Sequence, residues 1–182
     1  MTEEEVLVEV TQKLESLGIL YALTGGLAVS YYGEPRTTHD IDVVVAIEKR
    51  KGLPRKLVDT FSKEYYVSEE GIVDALLHGT MFNIIHSESG SKVDCWILKS
   101  TSYANTMFLR RGKARMGDHT FYILSPEDLI LTKLQWYLLS ESDKHLNDVR
   151  TIIRGQKNAL EIAYIRKWGH KLKVWDYAKT LL

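Results

Sequence analysis

Asp40 and Asp42 lie one residue apart at the start of an apolar run that extends to Val45. In a β-strand, residues i and i+2 lie on the same face about 7 Å apart, so the strand would carry both carboxylates on one face. Ile41 and Val43 would then bury the opposite face against a core. Repulsion between two neighbouring carboxylates favours a bound cation, and Mg²⁺ usually takes one or two carboxylates together with substrate phosphates. The pair therefore predicts a metal site, although an isolated Asp-x-Asp is more often a solvated strand entrance.

A glycine pair, Gly25-Gly26, precedes the two aspartates. The pair follows the apolar run 19–23, which predicts a strand, and precedes residues 27–31, which predict a helix. A helix N-terminus offers an anion free backbone N–H groups and the positive end of the helix dipole. A glycine pair alone usually marks only a tight turn. Here only a short helix and a turn separate it from the Asp-x-Asp, so we predict a phosphate site that faces the metal site.

This combination resembles the nucleotidyltransferases of the DNA polymerase beta superfamily, and most of all the small antibiotic nucleotidyltransferases and the AbiEii-type toxin nucleotidyltransferases. The residues that carry the resemblance are Gly25, Gly26, Gly33, Arg36, Thr38, His39, Asp40, Ile41 and Asp42. The resemblance implies two Mg²⁺ ions, a nucleoside triphosphate such as ATP as substrate, and an arginine, Arg36, beside the phosphates. A salt bridge within the turn is an equally ordinary function for Arg36.

The superfamily pattern also implies a third carboxylate on a neighbouring strand. The segment 91–97 alternates, with Val93 and Cys95 on one face and Asp94 on the other. A strand at 80–86 and a turn at 87–90 would pair with it as a hairpin. A single acid in such a strand is otherwise an exposed residue on a half-solvated sheet. Asp94 is therefore the predicted third catalytic and metal-binding residue, beside Asp40 and Asp42.

Two lysines in the C-terminal part complete the predicted site. Ser125-Pro126 begins a helix that carries Lys133 among apolar residues. A lysine in such surroundings usually extends its amine to solvent, but the resemblance to AbiEii-type proteins implies that Lys133 reaches the nucleotide. The same resemblance implies that Lys144 binds the phosphates, although His145 replaces the acid usual there. The competing interpretation of Lys144 is an i,i+4 surface salt bridge with Asp148.

Helical and strand patterns alternate along the first two-thirds of the chain, and helical patterns follow from residue 125. We therefore predict an α/β (α+β) fold: a small mixed sheet flanked by helices, as in nucleotidyltransferases, with a C-terminal helical extension. Residues 1–124 would form the nucleotidyltransferase core, and residues 125–182 a helical region packed on it. The basic stretch 110–115 is expected to be a loop or a small basic patch.

Composition narrows the function classes further. No apolar run approaches the length of a membrane helix, and the acidic start of the chain differs from the basic start of a signal peptide, so we expect a cytoplasmic protein with no membrane partner. The single cysteine, Cys95, cannot form an internal disulfide and is expected to be buried. A formal net charge of zero argues against a general nucleic-acid binder.

The sequence thus predicts a magnesium-dependent nucleotidyltransferase that moves a nucleoside monophosphate from a nucleoside triphosphate to a hydroxyl group. The acceptor stays open between a protein, an RNA and a small molecule. The AbiEii-type resemblance also implies that the protein could be part of a toxin–antitoxin system and bind a cognate antitoxin. The alternative is a non-catalytic module that binds a nucleotide or a partner through a nucleotidyltransferase-like fold.

Overall fold

The structure is a computed structural model of the 182-residue chain. It describes residues 1–35, 38, 40–47 and 52–182. Arg36 and His39 therefore lie outside the described residues, and the function predicted for Arg36 stays a prediction.

The described residues contain nine α-helices and seven β-strands. The helices are α1 (Glu3–Ser16), α2 (Gly25–Tyr32), α3 (Leu53–Phe61), α4 (Glu69–His78), α5 (Ser102–Leu109), α6 (Pro126–Ser140), α7 (Asp143–Gln156), α8 (Ile162–Lys171) and α9 (Trp175–Leu181). The strands are β1 (Leu20–Thr24), β2 (Asp40–Ala46), β3 (Tyr65–Tyr66), β4 (Met81–His86), β5 (Lys92–Ile97), β6 (Gly112–Met116) and β7 (His119–Ile123).

All seven strands form one mixed sheet in the order β3-β4-β5-β2-β1-β7-β6. The central strand β2 runs parallel to β5 and antiparallel to β1. β1 runs parallel to β7, and the outer pairs β3–β4, β4–β5 and β6–β7 are antiparallel. The predicted mixed sheet with flanking helices is thus confirmed, with the strand that carries Asp40 and Asp42 at its centre.

Helix α1 shows how local sequence sets these boundaries. Thr2 caps the helix because its hydroxyl accepts a hydrogen bond from the Glu5 amide at 3.2 Å, while the Glu5 carboxylate accepts one from the Thr2 amide at 2.7 Å. Val6, Val10 and Leu14 follow at helical spacing and are completely buried. The helix thereby covers the sheet with one apolar face.

The sequence did not predict two strands. The basic stretch 110–115 is largely strand β6, which pairs with β7 at the edge of the sheet. Within β6 only Ala114 is buried, so the strand lacks the run of apolar residues that identifies an inner strand. β3 has only two residues and pairs with β4 at the other edge. Both edges are short or charged, a combination that protects exposed sheet edges from pairing with other chains.

The hydrophobic core continues from the sheet into the C-terminal helices. Leu129 and Leu134 of α6 belong to the same buried cluster as Leu23 and Val43 of the sheet. The division into a core of residues 1–124 and a packed helical region of residues 125–182 follows this change of secondary structure and stays a proposal. No described helix combines the length and the apolar character that crossing a membrane requires.

Helices α2 and α7 approach each other at two glycines. A Cβ on Gly155 would overlap the carbonyl oxygen of Tyr32 and lie 3.1 Å from the Cα of Gly33. A Cβ on Gly33 would lie 2.8 Å from the carbonyl carbon of Thr151. Beside this contact, the Gln156 side-chain amide donates to the Tyr32 carbonyl oxygen at 2.8 Å. The close backbone contact fixes α7 on the end of α2.

Replacing Gly155 by alanine tests this contact. An alanine within a helix is ordinarily more stable than a glycine by about 1 kcal/mol. Here we expect the opposite, a loss of about 1–3 kcal/mol from overpacking, measured by thermal or chemical unfolding. Gly112→Ala is the matched control, because a Cβ at Gly112 would meet no atom within 4 Å. A Gly155→Ala variant at least as stable as the parent would contradict the proposed helix docking.

Candidate active site

A row of polar residues crosses the centre of the sheet. Asp42 of β2 lies opposite Asp94 of β5, on neighbouring parallel strands. On either side the row continues, with Thr24 of β1 opposite Asp42 and Asn83 of β4 opposite Asp94. The alternate residues of β2 are buried in the core, as the sequence predicted. Strand register therefore brings two of the three predicted carboxylates together.

The glycine turn lies directly against Asp42. Gly25 begins α2 with a φ of +62°, a backbone conformation that residues with a side chain rarely adopt. A Cβ at Gly25 would overlap Oδ2 of Asp42. Gly26 is buried in the first turn of the same helix. The predicted phosphate turn and the predicted metal strand thus face each other, with Gly25 as the residue for which both backbone conformation and space require glycine.

The Asp42 carboxylate lies in an environment that disfavours its charge. Burial raises the pKa of Asp42 above its ordinary value of 3.8, and the negative charges of Asp94 and Asp40 raise it further. Two interactions lower that pKa in part. The Trp96 indole N–H donates to Oδ1 of Asp42 at 3.1 Å, and the Lys133 ammonium contributes its positive charge. Among the residues that the structure describes, these two interactions compensate the negative charge of Asp42 only in part.

The other two carboxylates have their own partners. Asp94 is only 7% exposed, and its Oδ1 accepts a hydrogen bond from the Asn83 amide at 2.5 Å. The Lys92 ammonium lies 3.1 Å from Asp94 Oδ2 and 3.6 Å from Asp40 Oδ1. Burial and these bonds hold Asp94 in one orientation, whereas the Asp40 side chain is 64% exposed at the strand entrance.

The donor set fits Mg²⁺ of the kind that binds together with a substrate. Among the residues that the structure describes, no three histidine, cysteine, aspartate or glutamate side chains are arranged to enclose a metal ion. Mg²⁺ seldom needs such a cage, since it keeps waters and takes one or two carboxylates with the phosphates of a nucleotide. Asp42, which lies against the Gly25 turn, and its neighbour Asp94 are the two carboxylates that could hold such an ion, with Asp40 at the exposed side.

The two lysines predicted for the site differ sharply in environment. Lys133 is buried, and its ammonium lies 2.8 Å from Oδ2 of Asp148 on α7. The competing interpretation, in which Lys133 extends its amine to solvent, does not hold, because the ammonium pairs with Asp148 inside the protein. Lys144 is exposed on the first turn of α7, while Asp148 pairs with Lys133. Nucleotide binding by either lysine stays a prediction.

Three further residues at the site were not predicted. Asn83 contacts Asp94, Trp96 contacts Asp42, and Lys92 contacts both Asp94 and Asp40. Lys92, Asp94 and Trp96 are every second residue of β5, so the strand pattern already placed all three side chains on the same face of the sheet. The missing information was the pairing of β5 with β2, which brings Trp96 to Asp42 across 54 positions of the chain. Asn83 depends in the same way on the β4–β5 register.

Similar folds occur in solved nucleotidyltransferase structures. ANT(2'')-Ia in complex with adenylyl-2''-tobramycin has a TM-score of 0.63 and 16% identity, over 94% of this chain and 98% of that chain. An antigenic nucleotidyltransferase-like protein from Paracoccidioides brasiliensis has a TM-score of 0.56 and 24% identity, over 83% and 74%. The lincomycin-bound lincosamide antibiotic adenylyltransferase LnuA has a TM-score of 0.52 and 14% identity, over 84% and 96%. Comparison with the curated proteins gave no match.

The mixed sheet and its flanking helices thus have the fold of these solved nucleotidyltransferase structures. Residues 6–100, more than half of the chain, match the aminoglycoside-2''-adenylyltransferase family. The chain belongs to that family. The match contains the glycine turn and all three aspartates, and it ends before α6 and α7.

The buried ion pair between Lys133 of α6 and Asp148 of α7 should contribute to the stability of the fold. Lys133→Met keeps the length of the side chain but removes the ammonium that lies 2.8 Å from the buried Asp148 carboxylate. Removing one partner of a buried pair typically costs about 3–5 kcal/mol, so the variant should unfold well below the parent in thermal denaturation. Lys144→Met is the control and should leave the melting temperature unchanged, because Lys144 is exposed. Equal melting temperatures for both variants would show that the Lys133 pair contributes no stability.

Asp42→Asn should raise the melting temperature of the metal-free protein at pH 7. Because burial raises the pKa of Asp42, the folded state binds the carboxyl proton of Asp42 more tightly than the unfolded state does. Loss of that proton therefore destabilises the folded state as pH rises above 3.8. Asparagine carries no charge at any pH and removes this cost. The difference between variant and parent should therefore shrink as pH falls toward 3.8.

The measurement is a thermal unfolding series in chelator, where a rise of about 2–4 °C corresponds to about 1 kcal/mol. Asp118→Asn, at a side chain that is 98% exposed, is the matched control. A lower melting temperature for Asp42→Asn than for the parent at pH 7 would show that the charge of Asp42 stabilises the fold.

Proposed function

We propose that this nucleotidyltransferase transfers a nucleoside monophosphate, AMP from ATP, to a hydroxyl group of a small molecule, and that transfer depends on magnesium. One observation carries the proposal: Asp42 and Asp94 lie opposite each other on neighbouring parallel strands, and the Asp42 carboxylate lies against the Gly25 turn. A structural role alone gives no reason to place two carboxylates beside a helix N-terminus in the middle of a sheet, since burying like charges costs free energy.

In this proposal each residue has a separate task. The turn at Gly25 and Gly26 holds the triphosphate through backbone N–H groups at the start of α2. Asp40, Asp42 and Asp94 would hold Mg²⁺, and the bound ion would neutralise the negative charge of the phosphates. Arg36, Lys133 and Lys144 are the proposed cationic contacts of the nucleotide. Lys133 acts from a fixed position because Asp148 holds its ammonium.

The reaction moves one proton and exchanges one P–O bond. The acceptor oxygen forms a bond to the α-phosphorus, the bond from that phosphorus to the bridging oxygen breaks, and pyrophosphate leaves with the electron pair. In this proposal Asp94, whose two carboxylate oxygens are oriented by Asn83 and Lys92, takes the proton of the acceptor hydroxyl. Asp42 faces the glycine turn and so belongs to the nucleotide side of the site.

The small-molecule acceptor rests on the family and on its structural neighbours. The family is named for aminoglycoside adenylylation, and two neighbours carry an adenylylated tobramycin and a lincomycin. The exposed carboxylate of Asp40 at the edge of the site suits an acceptor that carries ammonium groups. Transfer to a protein or an RNA, within a toxin–antitoxin system that has a cognate antitoxin, rests on the AbiEii-type resemblance alone.

A second candidate is a binding module without turnover. Lys92 favours it, since its ammonium lies within 4 Å of both Asp94 and Asp40 and offsets part of their charge without a metal ion. A module of this kind would bind nucleotide and release no pyrophosphate. The two candidates therefore differ in one measurable product.

Transfer is tested by incubating the purified protein with Mg²⁺, ATP labelled at the α-phosphate, and tobramycin, lincomycin or a cell lysate. We expect a labelled small molecule heavier by one AMP, together with pyrophosphate. Asp42→Asn should lower the rate by about 100-fold or more, because disturbing even the hydrogen-bond partners of a metal ligand costs about 10–100-fold. Asp118→Asn should transfer at the parental rate.

The other outcomes each decide between candidates. Label on protein or RNA from the lysate would replace the small-molecule acceptor by a macromolecule. Nucleotide binding without pyrophosphate release from any mixture would favour the binding module. Equal transfer by the parent and by Asp42→Asn would contradict the assignment of Asp42 to the catalytic site.

A further inference from the structure

Asp42 presents its two carboxylate oxygens to different neighbours. Oδ1 accepts the hydrogen bond from the Trp96 indole at 3.1 Å. Oδ2 is the atom closest to the position that a Cβ would take on Gly25. The bond to Trp96 therefore limits the rotation of the carboxylate about its side chain and keeps the second oxygen directed at the glycine turn.

The indole itself is held by the C-terminal helices. The Trp96 ring lies edge to face against Trp136 of α6, with ring centroids 5.5 Å apart and an angle of 69° between the planes. Trp136 in turn stacks on His145 of α7, with centroids 6.4 Å apart and an angle of 25°. Edge-to-face aromatic pairs stabilise a defined orientation. This aromatic cluster of Trp96, Trp136 and His145 connects two helices to one oxygen of Asp42.

From this geometry we propose that Trp96 is a positioning residue, whose indole N–H holds Asp42 in the rotamer that binds the metal ion and faces the nucleotide phosphates. The proposal rests on the proposed function only for its effect on transfer. Its effect on metal binding follows from the hydrogen bond alone. A side chain that carries no charge is suited to this task, because it orients the carboxylate without cancelling the negative charge that a metal ion requires.

The test is a double-mutant cycle read by Mn²⁺ binding in the absence of nucleotide. Trp96→Phe keeps an aromatic ring and removes the N–H, so we expect the Mn²⁺ affinity to fall by about 10- to 100-fold. If Trp96 acts through Asp42, the same substitution in an Asp42→Asn background should change the affinity little further. A residue that only supports the fold would weaken binding equally in both backgrounds.

Trp175→Phe is the matched control for tryptophan loss. Trp175 lies in α9 and contacts His170, on a part of the chain that contributes no residue to the site. Its replacement should leave the Mn²⁺ affinity at the parental value. Where Trp96→Phe fails to fold, as judged by its melting temperature, benzothienylalanine at position 96 replaces it, since this analogue keeps the shape of the indole and lacks only the N–H.

Transfer kinetics supply a second readout. Trp96→Phe should lower kcat by about 10-fold or more and leave the KM for ATP nearly unchanged, because the carboxylate is misoriented and the phosphate turn is intact. Equal Mn²⁺ affinity of Trp96→Phe and the parent, equal losses in both backgrounds, or a parent that binds no Mn²⁺ would each overturn the proposal. If the parent binds Mn²⁺ but transfers nothing to any acceptor, the proposed function fails, and the cycle still decides on Trp96.

Discussion

Two carboxylates that face each other across neighbouring strands set the requirements for the rest of the site. Burial and the neighbouring negative charge of Asp94 both disfavour the charged form of Asp42 and raise its pKa, so holding the two carboxylates side by side costs free energy. The described contacts reduce that cost without removing it: Asn83 and Lys92 bind Asp94, and Trp96 binds Asp42. The remaining negative charge is the property that a metal-nucleotide complex can use.

The opposite face of the same strands prevents the carboxylates from moving apart. Ile41 and Val43 of β2, and Val93 and Cys95 of β5, are buried almost completely. If either strand shifted by one residue, its two core side chains would turn to the solvent face and its aspartate would turn toward the core, so the core fixes the pairing of Asp42 with Asp94. The hydrophobic alternation that identifies the strands thus also sets the geometry of the chemistry.

This dependence explains which parts could be predicted from the sequence. Alternation and local signals located β2, β5, the glycine turn and the Ser125 N-cap, because each depends on neighbours within a few residues. The strand β6 was missed because a single buried alanine leaves no apolar pattern. Partners from distant segments, such as Trp96 for Asp42 and Asp148 for Lys133, depend on strand order and helix docking, which no local pattern encodes.

The C-terminal helices contribute to the site although they lie outside the matched family region. α6 carries both Lys133, whose charge acts on Asp42, and Trp136, which holds the Trp96 ring. α7 secures both residues, through the ion pair of Asp148 and the stacking of His145. Since α7 is itself docked on α2 at Gly33 and Gly155, the helix that begins at the phosphate turn also sets the position of the groups that orient Asp42. The phosphate side and the metal side of the site are therefore connected through one helical frame, and a shift of α7 would alter both together.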